Sequence, residues 1–248
     1  ERTSNFCPFC PGQEDKTPPE VYACRQDGGG PNSTGWKVRV VPNKFPALQI
    51  EGDLDKRGDG IYDMMRGVGA HEVVIESPDH SKNIQYLPQE HVESIFWALR
   101  ERSLDLKKDS RFRYILIFKN WGEEAGASLE HSHIQIIATP IIPKRAVEEI
   151  NGSKFHYDLK ERCIFCDMIQ QELQTNSRVI ERTDGFIAFA PYASRFPFEM
   201  WVLPEEHSCD FQSLKNTRGL AKIMKSVMKI LSICLEDPPY NYIIHTAP

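Results

Sequence analysis

The sequence has no apolar run that approaches the ~20 residues of a membrane-spanning helix, which excludes an integral membrane protein. Residues 1–5 lack the apolar core of a secretion signal, so we expect a cytoplasmic protein. An excess of positive charge is also absent, because 30 Lys and Arg residues stand against 35 Asp and Glu residues and give a formal net charge of −5. That sign argues against a protein built to coat nucleic acid.

What the chain does contain is an ordinary globular composition. It has 248 residues, of which 40% are hydrophobic and 26% are charged, so it can form a sizeable core. At ~150 residues per domain, this length permits one large domain or two small ones.

Seven cysteines are present, and four of them form two CxxC pairs. The pairs are Cys7-Pro8-Phe9-Cys10 and Cys163-Ile164-Phe165-Cys166, whereas Cys24, Cys209 and Cys234 are scattered. Disulfides are not expected without a secretion signal, since a reducing cytosol keeps thiols free. A CxxC pair then indicates half of a tetrahedral zinc site or a redox motif. Two pairs in matching surroundings favour zinc.

The segments that follow the two CxxC pairs form an internal repeat. Each contains β-rich runs and then a His-Ser just beyond a proline, at His80 and at His207. A helical pattern and a strand follow, and the separation from this histidine to a tyrosine of the strand is 34 residues in the first half and 35 in the second. This agreement predicts an α+β protein of two related halves, residues 1–150 and 151–248, each with an antiparallel sheet and one long helix. The apolar positions expected on the buried helix faces are Val92, Ile95, Phe96, Leu99 and Leu106 after Pro88, and Leu220, Ile223, Val227, Ile230, Leu231 and Cys234 in the second half.

The first half continues to a further strand, residues 131–138, for which the second half has no counterpart. At the spacing of the first half, the equivalent strand would fall beyond Pro248. A sheet that is short of a strand exposes an edge, so we expect the second half to be truncated at its end.

His131, His133 and Gln135 alternate along that strand. Alternate side chains of a strand share a face and lie about 7 Å apart, so these polar groups project together while the intervening isoleucines face the core. The alternative is a polar outer face on an amphipathic strand. A glycine-rich loop, residues 119–128, precedes the strand, and its small residues allow backbone N–H groups to approach an anion. Loop and histidines together predict a phosphate-binding site beside a nucleophile.

Each half offers thiol and imidazole ligands for a zinc ion, which prefers four of them. The candidates are Cys7, Cys10, His80 and one histidine of the 131/133 pair in the first half, and Cys163, Cys166 and His207 in the second. We expect the second metal to be structural, with its fourth ligand beyond the present end.

If His131 binds the first metal, His133 is free to act as a nucleophile. A neutral imidazole can attack a phosphorus atom and form a phosphoramidate intermediate, which divides one difficult transfer into two. Gln135 can then donate to a non-bridging phosphate oxygen where charge develops.

Six motifs occur in order along the chain. They are Cys-Pro-Phe-Cys-Pro-Gly (7–12), Val-Arg-Val-Val-Pro-Asn-Lys-Phe-Pro-Ala-Leu (38–48), Gly-Ala-His-Glu-Val-Val-Ile-Glu-Ser-Pro-Asp-His-Ser (69–81), Phe-Lys-Asn-Trp-Gly-Glu-Glu-Ala-Gly-Ala-Ser-Leu-Glu-His-Ser-His-Ile-Gln (118–135), Pro-Tyr-Ala-Ser-Arg-Phe-Pro-Phe-Glu-Met-Trp (191–201) and Asp-Pro-Pro-Tyr-Asn-Tyr (237–242). Together they resemble the galactose-1-phosphate uridylyltransferase family, the transferase branch of the histidine-triad superfamily. The resemblance implies two histidine-triad-like halves and a homodimer.

The resemblance also implies a ping-pong reaction of galactose metabolism and a role for each matching residue. UDP-glucose gives its UMP to the nucleophilic histidine, glucose 1-phosphate leaves, and galactose 1-phosphate collects the UMP. By motif position, the nucleophile is His133, the nucleoside contact is Asn43, and the phosphate contacts are Asn120, Gly126, Ala127, Ser128 and Gln135. The first metal site corresponds to Cys7, Cys10, His80 and His131, and the second to Cys163, Cys166 and His207, which hold zinc or, in the second site, iron. His245 falls where some relatives have a further metal ligand; the alternative is a strand histidine near the sheet edge.

Three alternatives to this function stay open. Ser132 stands between the two histidines where the most familiar uridylyltransferases have proline, and serine there resembles the plant branch that works as an ADP-glucose phosphorylase, passing AMP to phosphate. A histidine-triad hydrolase is the second alternative, although a doubled chain with two CxxC pairs exceeds what a simple dinucleotide hydrolase needs. The third is a non-enzymatic, zinc-stapled module that binds nucleic acid through its CxxC pairs, against which the net charge argues.

Overall fold

The structure is a computed structural model that describes residues 6–25 and 28–248, and its secondary structure is mixed α and β. The strands are β1 (Tyr22–Arg25), β2 (Trp36–Pro42), β3 (Arg57–Asp59), β4 (Tyr62–Met64), β5 (Ala70–Ile75), β6 (Tyr114–Trp121), β7 (His133–Thr139), β8 (Val179–Thr183), β9 (Phe186–Phe189), β10 (Trp201–Pro204) and β11 (Tyr240–Ile244). The helices are α1 (Gln89–Leu106), α2 (Lys144–Lys160), α3 (Ile164–Thr175) and α4 (Thr217–Leu235). Within these ranges, no helix has the length and apolar character needed to cross a membrane.

The largest sheet has six antiparallel strands in the order β1-β2-β5-β7-β6-β11. One of its two central strands, β7, is the histidine strand of the sequence. Ile134, Ile136 and Ala138 alternate along it and are fully buried in the main core, so the opposite face of β7 carries His133 and Gln135. The core therefore fixes which side of the sheet presents the polar side chains.

Helices α1 and α4 pack against each other over the core side of this sheet. Helix α1 begins directly after Pro88, as predicted, and its five expected apolar positions are buried. On α4, Ile223 and Val227 are buried, but the expectation for Cys234 is wrong because this thiol is exposed. Ser232 faces inward in the last turn instead, within 2.9 Å of the Tyr86 hydroxyl.

The second half has a three-stranded antiparallel sheet, β10-β9-β8, which packs on α4. Its last strand, β11, does not join that sheet. It pairs with β6 of the first half, with Asn241 opposite Asn120 and Ile244 opposite Ile117. The predicted antiparallel sheets and long helices are confirmed, and the structure adds that the second half completes the sheet of the first.

Several local features differ from the sequence-based expectation. Strand β7 begins at His133, so His131 lies just before it, and Lys119 belongs to β6 and not to the glycine-rich loop. Helices α2 and α3 were not predicted. On α2, only Ala146 is buried, so this helix lacks the apolar face that a periodicity search detects.

Candidate active site and metal centres

The first CxxC turn is held against the sheet by buried polar contacts. Phe9 packs in an apolar cluster with Trp36. The Trp36 indole Nε1–H donates to Glu14 Oε1 at 2.8 Å. The guanidinium of Arg39, which is 1% exposed, donates to Glu20 Oε2 at 2.9 Å and to Thr17 Oγ1 at 2.8 Å. Two side chains of β2 therefore fix the segment that carries the first thiols.

The structure brings Cys7, Cys10, His80 and His131 together, with their ligand atoms all within 4.8 Å of one another. His131 Nδ1 lies 3.5 Å from Cys7 Sγ and 3.7 Å from Cys10 Sγ, and His80 Nδ1 lies 3.5 Å from Cys10 Sγ. The backbone carbonyl of Ser77 lies 2.7 Å from His131 Nε2. Because a carbonyl only accepts, Nε2 carries the hydrogen and the Nδ1 lone pair faces the thiols. Two thiols and two imidazoles are a donor set that suits a four-coordinate zinc ion.

A thiol of this cluster must lose its proton before it can bind a cation. Burial, together with the nearby Cys7 thiol, raises the pKa of Cys10 to about 11. Such a thiol stays protonated near neutral pH unless a cation stabilises the thiolate. Burial lowers the pKa of His131, so its ligand lone pair is available.

A second cluster joins Cys163, Cys166 and His207. Cys163 lies at the N-terminal cap of α3 and Cys166 in its first turn, and Cys166 Sγ is 3.3 Å from His207 Nδ1. Burial raises the pKa of Cys166. His245 lies outside this cluster, with its Nδ1 2.8 Å from Glu149 Oε2. The described residues therefore supply three ligands here.

His133 is 6% exposed and lies outside both clusters. Its Nδ1 lies 2.8 Å from the backbone carbonyl of His131, so Nδ1 carries the hydrogen and Nε2 keeps its lone pair. Burial lowers the pKa of His133, which keeps the ring neutral. The Phe9 ring packs edge-on against the imidazole, with centroids 5.5 Å apart. A neutral, oriented imidazole of this kind is able to act as a nucleophile.

A buried polar network surrounds Ser132, the residue between the two histidines. Lys119 Nζ, which is fully buried, donates to Glu76, to Asn83 Oδ1 at 2.7 Å and to Ser132 Oγ at 2.7 Å, and the Ser132 hydroxyl donates to Glu76. The Glu76 N–H donates to the Ser132 carbonyl at 3.2 Å. These contacts join the segment before His80 to the segment between the two histidines. These contacts were not predicted from the sequence, although a lysine within the apolar run of β6 was a signal.

The glycine-rich loop is held by the second half of the chain. Gly122 and Gly126 have φ values of 85° and 84°, which favour glycine. The Gly126 and Ala127 amides donate to carbonyls within the loop, at 2.9 Å and 3.0 Å. They are therefore not free to bind an anion, although the glycine-rich sequence predicted that they would be. Asn241 on β11 donates to Asn120 Oδ1 at 2.7 Å and to the Ala125 carbonyl at 2.8 Å. Asn120 thus lies oriented beside the start of β7, and Ser128 is exposed.

Asn43 and Gln135 both contact His71, a residue whose role was not predicted from the sequence. His71 Nε2 lies 2.8 Å from Gln135 Oε1 and 3.1 Å from Asn43 Nδ2. Asn43 Oδ1 accepts from the Phe45 N–H at 2.9 Å. Asn43, the expected nucleoside contact, and Gln135, an expected phosphate contact, therefore both lie against the His71 imidazole.

The fold and the side chains gathered on β7 define a histidine-triad-like protein with two Cys/His clusters. The sequence profile described as "Galactose-1-phosphate uridyl transferase, N-terminal domain" matches residues 27–143. ADP-glucose phosphorylase of Arabidopsis thaliana is 35% identical over 246 residues, covering 98% of this chain and 67% of the relative. Galactose-1-phosphate uridylyltransferase of Thermotoga maritima is 30% identical over 246 residues, covering 98% of this chain and 72% of the relative. The chain belongs to the galactose-1-phosphate uridylyltransferase family.

Solved structures agree with this assignment. The crystal structure of the Arabidopsis ADP-glucose phosphorylase with bound ADP-glucose superposes with a TM-score of 0.85 at 32% identity, covering 100% of this chain and 76% of that one. A structure of uridylyltransferase gives a TM-score of 0.84 at 26% identity, with 100% and 75% coverage. The predicted family and fold are confirmed.

Proposed function

We propose that the chain is a nucleotidyltransferase in which His133 carries the nucleotide covalently between donor and acceptor. The observation that carries this proposal is the 2.8 Å contact between His133 Nδ1 and the His131 carbonyl, which leaves Nε2 unprotonated. Family membership supplies the reaction class, and burial of the ring supports its neutral state.

The proposed reaction has two displacements at the same phosphorus atom. The Nε2 lone pair attacks the α-phosphorus of a nucleotide sugar, a P–N bond forms, and the bond to the leaving sugar 1-phosphate breaks. A phosphate oxygen of the acceptor then attacks the same phosphorus, and the P–N bond breaks to return the neutral imidazole. Gln135, Asn120 and Ser128 donate to the phosphate oxygens as charge develops on them. The Gly126 and Ala127 amides serve as donors only if their loop bonds open.

We propose that Cys7, Cys10, His80 and His131 hold Zn²⁺, and that Cys163, Cys166 and His207 hold Zn²⁺ or iron. Such an ion would act structurally, by holding its ligand side chains in fixed positions. His131 is two residues before His133, and its backbone carbonyl accepts the hydrogen bond from the Nδ1–H of that ring, so anchoring His131 fixes the direction of the nucleophile.

For the substrates, we propose transfer of UMP from UDP-glucose to galactose 1-phosphate. A second candidate is transfer of AMP from ADP-glucose to phosphate. It is favoured by the 35% identity to the relative named ADP-glucose phosphorylase and by Ser132, whose hydroxyl is part of the buried Lys119 network. Both candidates form a covalent nucleotidyl-histidine at His133 but attach different nucleotides, so one experiment separates them.

That experiment is intact-protein mass spectrometry after mixing the protein with UDP-glucose or with ADP-glucose. UMP and AMP differ in mass, so the adduct identifies the donor. Subsequent addition of galactose 1-phosphate or of phosphate identifies the acceptor by loss of the adduct. We expect no adduct on His133→Ala at unchanged metal content, and partial rescue of His133→Gly by imidazole. Normal turnover by His133→Ala, or no adduct from either donor, would refute the covalent mechanism.

A further inference from the structure

His71 is held with a defined hydrogen-bonding direction. The Ala47 N–H donates to its Nδ1 at 3.2 Å, so Nδ1 carries no hydrogen. In a neutral ring the hydrogen is therefore on Nε2, which lies 2.8 Å from Gln135 Oε1. The Asn43 amide nitrogen lies 3.1 Å from Nε2. Because it is also a donor, it does not accept the Nε2 hydrogen. His71 consequently donates to Gln135.

This donation sets which end of the Gln135 carboxamide faces the site. The amide oxygen is turned toward His71, so the NH₂ group points away from the imidazole. An NH₂ group stabilises a phosphate oxygen, whereas an amide oxygen turned to the same anion repels it. The direction of one hydrogen bond thus determines whether Gln135 helps or opposes the transfer.

The imidazole is also rigidly placed. His71 lies on β5 beside β7, opposite Ile137, and its backbone carbonyl accepts from the Asn43 N–H at 2.8 Å. The next residue, Glu72, is buried and receives two hydrogen bonds from Arg102 of α1, at 2.9 Å and 2.7 Å. The turn of residues 43–47, strand β5 and helix α1 together hold the ring.

We propose that His71 is a positioning residue that orients the Gln135 carboxamide, so that its NH₂ group meets the transferred phosphate. The inference rests on the proposed function, because it assumes that Gln135 contacts the phosphate. His71 acts through Gln135 and does not itself touch the reacting atoms.

The test compares two isosteric replacements of opposite hydrogen-bonding character, His71→Gln and His71→Glu. The Gln side chain offers a donor near the position of the imidazole Nε2, whereas Glu offers only acceptors. We expect His71→Gln to keep the single-turnover rate of nucleotide transfer onto His133 within about tenfold of the original. We expect His71→Glu to lose roughly 10²-fold, the loss seen when one donor to a developing oxyanion is removed. The donor dissociation constant should change much less than the rate.

Gln135→Ala supplies the control, because the added Glu charge also repels phosphate. In the Gln135→Ala background there is no carboxamide to turn, so the gap between Gln and Glu at position 71 should shrink to a few-fold. A gap that persists in this background would overturn the proposal, as would equal rates for the two replacements in the original background.

A third variant, His71→Leu, keeps the test decisive if His71→Glu does not fold. Leu provides no donor, so we expect a rate about tenfold below His71→Gln, and this difference should vanish with Gln135→Ala. A His71→Leu rate equal to that of His71→Gln would overturn the proposal. Failure of the unmodified protein to form any adduct would refute the proposed function instead, which separates the two failures.

Discussion

Replacement of Lys119 by Met removes the charge at the centre of the buried network while keeping an unbranched side chain. The fully buried Glu76 is then left without a counter-charge, and the oxygens of Asn83 and Ser132 lose a donor at 2.7 Å. Removing one partner of a buried ion pair costs roughly 3–5 kcal/mol. Typical proteins are stabilised by roughly 5–15 kcal/mol. We therefore expect Lys119→Met to lower the free energy of unfolding by about 3–5 kcal/mol.

Two further variants make this prediction specific. Adding Glu76→Gln to Lys119→Met removes the orphaned charge, so the double variant should recover at least about 1 kcal/mol relative to Lys119→Met alone. Lys154→Met is the surface control: Lys154 pairs with Asp158 at 2.8 Å, but its side chain is 70% exposed. Exposed pairs contribute little, so this change should stay within about 0.5 kcal/mol.

Urea unfolding followed by tryptophan fluorescence measures these differences. All variants should be compared at one fixed zinc concentration, because a metal that binds only the folded state adds to its stability. A Lys119→Met protein as stable as Lys154→Met would refute the reasoning. A double variant no more stable than Lys119→Met would also refute it, because removing the unpaired Glu76 charge should restore stability.

Three further predictions concern the metals, acid stability and the glycine-rich loop. Elemental analysis of the freshly purified protein should find about two metal ions per chain. Cys7→Ser should lose one ion and also adduct formation, whereas Cys163→Ser should lose the other ion and keep adduct formation. Equal effects of the two variants would contradict separate roles for the two metal sites. Burial holds the pKa of His91 below its ordinary 6.5. The unfolded state therefore binds more protons at this residue, and stability falls as the pH drops through 6.5. His91→Gln should lose less stability between pH 7.5 and 5.5, and an unchanged dependence of unfolding free energy on pH would contradict this assignment. Asn241→Ala, which removes two hydrogen bonds to the loop, should slow adduct formation several-fold with little change in unfolding free energy, and an unaltered rate would show that the loop does not depend on β11.

The parts of the site that could be predicted from the sequence are those with a short, local signal. A CxxC pair places two thiols on one turn, and alternation along β7 places His133 and Gln135 on one face. The buried apolar side chains of α1 follow from helical periodicity in the same way. In each case the chemistry and the spacing lie within a few residues of sequence.

The parts that could not be predicted depend on which distant strands become neighbours. His71 meets Gln135 only because β5 pairs with β7, and Asn241 meets Asn120 only because β11 pairs with β6. Nothing local in the sequence specifies these partners. The internal hydrogen bonds of the loop amides could not be predicted for a related reason: the 3₁₀ turn at residues 123–125 uses these amides internally, which glycine content alone does not show.

The residue-by-residue pairing of β11 with β6 means that the two halves predicted from the sequence are not independent modules. A slip of β11 by one residue would put a tyrosine in place of Asn241 opposite Asn120 and would turn every side chain of the strand to the other face. Deleting or exchanging the segment that contains β11 would therefore disturb the glycine-rich loop, even though the proposed nucleophile, His133, lies far from that segment in the sequence. Inserted or deleted residues between α4 and β11 should be tolerated far less than the distance from His133 would suggest.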